Sequence, residues 1–248
     1  GVGGCDALAS EVSNKRAVPR KISLGHRPAE ITGGPDGLMR ALTWFMWQFG
    51  ISSLSIGPEF KLTSSDICHL AEAISYINGL NHRGEIGGGL FLEALDVSEP
   101  LKSLDSGSIE ALIPSIPSIK ELSISIEDLS PEAAVCFKEC GSLERLCLNK
   151  EGCPQSSKTV EALITNLSSV KELEIKVKCL TSSAAKVFGK CSNLERLVLG
   201  GEEQNSEFVK ALATPSSLRE LKMNAERLSA EAASVLNGWE MLEKLYLG

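Results

Sequence analysis

Apolar residues return along this chain in one short pattern, L-x-x-L-x-L. Its copies are Leu92/Leu95/Val97, Ile119/Leu122/Ile124, Leu143/Leu146/Leu148, Val170/Leu173/Ile175, Leu194/Leu197/Leu199, Leu218/Leu221/Met223 and Leu242/Leu245/Leu247. The fourth and sixth positions alternate with polar ones, which is the period of a half-buried strand. Between copies lies a second apolar segment with helical spacing, such as Val160, Leu163, Ile164 and Leu167. Each unit therefore predicts a short strand, a turn and about two turns of helix. Ser130 and Ser229 stand before an acidic first turn, as helix N-caps do.

The copies follow one another at steps of 24 or 27 residues. A fixed period in the twenties marks a leucine-rich repeat, whose units bury a shared core only by stacking. The predicted fold is an α/β solenoid, a right-handed horseshoe with a parallel β-sheet on its concave face and short helices on its convex face. Ile51, Leu54 and Ile56 form an earlier strand core, and Thr63–Ile77 reads as an amphipathic helix. The longer gap before Leu92 is assigned to an inserted loop at about 78–89. This gives an N-terminal arm with a capping strand and helix over 1–50, then one continuous solenoid over 51–248. Ile22 and Leu24 mark the capping strand. In the capping helix Leu38, Leu42, Phe45, Met46 and Phe49 share one face, with Trp44 and Trp47 beside it. The tryptophans either pack under the arm or form an interface for a preceding domain.

At these repeats the chain resembles the ribonuclease-inhibitor-like leucine-rich repeats, most of all those at the C-terminal end of NOD-like innate immune receptors. The resemblance is specific from Leu92 to Gly248 and looser from Val18 to Leu90. Two departures stand out: the units are shorter, and residues such as Lys178 and Glu202 replace the asparagine expected after the strand. The resemblance implies a cytoplasmic, non-catalytic sensing and interaction module in a longer chain. Its partners would be a protein or microbial ligand on the concave face and an adjacent nucleotide-binding domain. An adaptor or inhibitor, such as a ligase substrate-recognition subunit, is the alternative. A GTPase-activating repeat protein is a third reading, though no exposed catalytic arginine or asparagine stands out.

Composition narrows the chemistry. The 248 residues carry a formal charge of −7, which disfavours nonspecific contact with nucleic acid or an anionic membrane. No apolar run approaches a membrane span, and Gly1–Arg20 lacks the core of a signal peptide. The eight cysteines include no Cys-x-x-Cys pair. Cys68, Cys136, Cys140, Cys147 and Cys191 fall in helix or strand patterns, so they read as reduced, small hydrophobes. His26, His69 and His82 form no metal or triad arrangement, and the glycines at 84 and 87–89 lack the Lys-Ser/Thr of a phosphate loop. No cofactor is implied.

Function is therefore sought on the inner face. The second positions of the pattern read Glu93, Lys120, Glu144, Lys171, Glu195, Arg219, Glu243; the third read Ala94, Glu121, Arg145, Glu172, Arg196, Glu220, Lys244. After Ala94 both rows alternate in sign, as self-neutralising ladders across adjacent strands would. The fifth positions, Asp96, Ser123, Cys147, Glu174, Val198, Lys222 and Tyr246, obey no alternation. They are the candidate ligand-binding row.

Overall fold

The structure, a computed structural model, describes residues 21–24, 34–57, 60, 62–86, 89–98, 104–126, 128–148, 153–212, 216–225 and 227–248, with backbone alone for 34–36. Nine strands alternate with helices along the described chain. They are β1 (Lys21–Leu24), β2 (Ser53–Ile56), β3 (Ala94–Val97), β4 (Glu121–Ile124), β5 (Arg145–Leu148), β6 (Glu172–Val177), β7 (Arg196–Gly201), β8 (Glu220–Met223) and β9 (Lys244–Leu247). The helices are α1 (Gly34–Gln48), α2 (Ser64–His82), α3 (Ser106–Leu112), α4 (Pro131–Val135), α5 (Ser157–Asn166), α6 (Ser182–Val187), α7 (Ser206–Ala211) and α8 (Ala230–Asn237). The strands form one parallel sheet in sequence order, β1 to β9.

Register makes the repeat physical. Leu95, Leu122, Leu146, Leu173, Leu197 and Leu221 are successive Cα partners, each at most 1% exposed. Each fully buried leucine contributes about 1.5–3 kcal/mol, so the leucine row outweighs any surface charge pair. At β9 the same row is open: Leu245 is 40% exposed. β1 pairs with β2 in that register, so the sheet is continuous across residue 50.

Helices start where a side chain caps them. Thr63, Asp105, Ser130, Ser156, Thr181, Asn205 and Ser229 each accept the amide three residues on, satisfying one orphan donor. Serines just inside the helices tie neighbouring units. Ser106 Oγ donates to the Asp128 carbonyl (2.7 Å) and accepts from the Ser130 amide (2.8 Å). Ser206 does the same with Arg227 and Ser229.

The expected inserted loop at 78–89 is corrected in part. α2 runs to His82, because Leu80 is itself buried and extends the apolar surface made by Leu70, Ile74 and Ile77. The chain turns at Gly84, where φ is +71°, a region that favours glycine. Asn78 Oδ1 then accepts from the Leu90 amide at 2.8 Å, pinning the return segment.

Candidate functional site

Because side chains alternate along a strand, the third and fifth positions face the concave side together, while the second positions lie just before each strand. The charged rows are true neighbours there, but they settle into discrete pairs. Lys120 bonds Glu93 (2.7 Å), Lys171 bonds Glu144 (2.9 Å), and Arg219 pairs with Glu243. In the third-position row Arg145 forks onto Glu172, Nε and Nη2 donating at 3.0 and 3.1 Å. Arg196 Nε bonds Glu220 at 3.1 Å, and Lys244 reaches Glu220 at 3.5 Å. These bonds hold the Arg145 guanidinium above its ordinary pKa, Glu172 being the main cause. Glu220 is held below the usual carboxylate range, mainly by its hydrogen bond to Arg196. Glu121 and Glu195 form no ion pair among the described residues.

The candidate ligand row divides. Asp96, Ser123, Cys147 and Glu174 line an open trough of about 680 Å³ over β1–β7. Glu174 also lies 3.9 Å from Arg196. Lys222 and Tyr246 are exposed but outside the trough. Val198 is the exception to the expected row: it is only 7% exposed, in register between the longer Glu174 and Lys222, and offers almost no surface. The trough also takes in the third-position residues Glu121, Arg145, Glu172 and Arg196 and, on the early strands, residues such as Lys21 and Ser53. For the early strands the sequence signal was the run of small residues Ser53, Ser55, Ala94 and Ser123. With few long side chains there, the sheet itself is approachable.

Trp44 and Trp47 sit together on α1, ring centroids 4.7 Å apart and tilted. Trp44 is 44% exposed and Trp47 half-buried. Trp44 and Phe45 of α1, Phe49 just beyond it, and Tyr76 and Ile77 of α2 line a second groove of about 720 Å³. It lies on the helical side and is separate from the concave trough.

The cysteines and two glutamines serve the scaffold. All seven described cysteines are reduced thiols. Cys140 and Cys191 are buried, their thiols facing carbonyls of the preceding unit: Ile113 and Ile116 for the first, Ile164 and Leu167 for the second. Burial pushes the Cys140 thiol up to about 12 and that of Cys191 to about 11. Gln155 Oε1 accepts the Leu129 amide and Gln204 Oε1 the Leu180 amide, both at 2.9 Å. Each buried amide thus fastens the segment before its own helix to the backbone of the preceding unit. The Cys147 thiol is half-buried in the trough. His69 and His82 lie on α2, away from the sheet. The described residues contain no group of three or more His, Cys, Asp or Glu placed to hold a metal ion. No helix among them is long and apolar enough to cross a membrane.

The class defined by this geometry is the leucine-rich repeat solenoid, an open α/β arc with a parallel inner sheet. A solved structure agrees. The chain is similar to a chain of the yeast Rad7 and Elc1 complex, with 18% identity and a TM-score of 0.51 over 86% of this chain and 56% of that one. It is also similar to a chain of the TLR13–ssRNA13 complex, with 15% identity and a TM-score of 0.49 over 92% of this chain and 33% of that one. The chain thus spans about half or less of the length of those two chains, and at 18% identity the first similarity establishes the fold alone. No protein-family model matches the sequence, and no curated protein matches it.

Proposed function

We propose that this chain is a non-catalytic interaction module that binds a protein partner across its concave face. The observation that carries the reading is the open trough on the sheet, lined from seven adjacent strands by small and charged side chains. Such a broad, shallow surface suits a macromolecule better than a small substrate, which needs a concave and largely apolar pocket. The described histidines lie elsewhere, so the face offers no nucleophile–base pair of the usual kind. Within this reading, the resemblance to NOD-like receptor repeats favours a cytoplasmic sensor of a microbial or host protein ligand, next to a nucleotide-binding domain in a longer chain.

A second reading has its own support. Rad7 is found with Elc1, a protein–protein complex, and one of its chains shares this fold. An adaptor that presents a captured protein to a partner fits the same trough. Site-specific photo-crosslinking tests the shared claim. A photoreactive residue at Ser123 should capture partner protein, and one at Lys158 on convex α5 should not. Equal capture from both positions would contradict the concave-face reading. An upstream nucleotide-binding domain in the full-length chain would select the receptor reading, and an adaptor helix the other.

A further inference from the structure

We propose that the trough accepts a basic segment of the partner protein, whose lysine or arginine side chains pair with Asp96 and Glu121. This rests on the concave face being the contact surface. The chemistry follows from where the internal charge pairing fails. In the third-position row the sign alternation breaks at Ala94, so Glu121 has a neutral neighbour on one side. On its other side stands Arg145, whose Nε and Nη2 are both committed to Glu172. Glu121 is exposed; Arg145 attracts it across the strands but makes no hydrogen-bonded ion pair with it.

Asp96 is a second acid, with no cation on either side in its own row. Its Oδ1 accepts the Ser98 amide (3.1 Å) and hydroxyl (2.7 Å), while its neighbours in register are Ser55 and Ser123, both small and neutral. Lys21, a trough cation with no ion pair among the described residues, lies three strands from Glu121 in the same row, roughly 14 Å at ordinary strand spacing. Screening over a Debye length of about 8 Å at physiological salt weakens its reach to Glu121. Ser53, Ser55, Ala94 and Ser123 keep the approach to both carboxylates open. A cationic side chain entering here replaces the missing rung of the ladder. Nucleic acid would meet the same carboxylates with repulsion.

The test uses the chain as it stands, isotope-labelled, and three Gly-Ser peptides of equal length. One carries spaced lysines, one spaced glutamates, and one neither. The lysine peptide should shift the amide resonances of residues 94–96, 121–123 and 145–147, with the effect fading as salt is raised. Glu121→Gln should weaken its binding roughly two- to fivefold, the range for one exposed charge pair. Ala94→Lys supplies the missing cation from within; it should reduce the shifts at least as much as Glu121→Gln while leaving the melting temperature unchanged or higher. Equal shifts at these residues from the neutral or the glutamate peptide would overturn the basic-partner inference and leave the concave-face reading standing. Shifts from the lysine peptide confined to the helices, or absent with all three peptides, would overturn this inference; photo-crosslinking from Ser123 decides the broader reading independently.

Discussion

Replacing Arg145 by glutamate attacks the inner face at its best-defined charge contact. The wild-type guanidinium forks onto Glu172 and stands beside Glu121. Arg145→Glu deletes the Glu172 pair and the weaker attraction to Glu121, and places three carboxylates on consecutive strands. Each cross-strand term is worth roughly 0.2–1 kcal/mol, and the Arg145 side chain is 54% exposed, so solvent screening keeps each term in the lower half of that range. The loss of two attractions and gain of two repulsions sum to about 1–2 kcal/mol. For a chain of this size that lowers the melting temperature by roughly 2–8 °C. Arg145→Gln, which loses both attractions and gains no repulsion, should fall by about half of that. Differential scanning fluorimetry in low salt reads both. At about 1 M salt the Debye length shrinks to about 3 Å, and the gap between the variants should narrow. It should narrow also below about pH 4, where carboxylates protonate. A melting temperature for Arg145→Glu equal to wild type in low salt would refute the electrostatic account of these rows.

Further outcomes follow from the scaffold. Gln204→Ala should cost about 1–3 kcal/mol in chemical denaturation, because it leaves the Leu180 amide buried without its acceptor. Leu146→Ala should cost about 2–5 kcal/mol, and Leu245→Ala at the open edge under about 1 kcal/mol, since that side chain is already 40% exposed. Native iodoacetamide labelling at pH 8, read by mass spectrometry, should modify Cys153 and Cys179 and spare Cys140 and Cys191. The last two are buried and raised to about 12 and 11, so almost none of either is the reactive thiolate at that pH. Rapid labelling of Cys140 in the folded protein would contradict its placement.

The fold was legible because its determinant is periodic. Leu122, Leu146, Leu173 and Leu197 each stand at one position of a repeated pattern, and stacking turns that position into a row. Sign alternation at Glu121, Arg145, Glu172 and Arg196 was visible for the same reason. Pairing preference was not: each cation bonds whichever neighbour its rotamer reaches, so Lys120 turns back to Glu93 while Arg219 turns forward to Glu243. The reach of α2 through His82 was also hidden, since Asn78, Gly79 and Asn81 have weak helix propensity and tertiary packing of Leu80 decides the outcome. The trough escaped the sequence because an open surface is defined by side chains that are short. Ser53, Ser55 and Ala94 carry no chemical signature of their own, and only the sheet places them beside Asp96 and Glu121. Gln155 and Gln204 look like loop residues until the backbone brings Leu129 and Leu180 against them.

The central claim, that equivalent positions of successive repeats stand side by side on the concave face, is tested most directly by a short thiol crosslink. Ser123 and Cys147 are Cα partners on β4 and β5. Ser123→Cys treated with dibromobimane should give one new crosslinked peptide pair, residue 123 to residue 147, identified by mass spectrometry. Ser55→Cys, three strands from Cys147 along the same row, should give none. A 55–147 crosslink, or no 123–147 crosslink in the folded protein, would contradict the account.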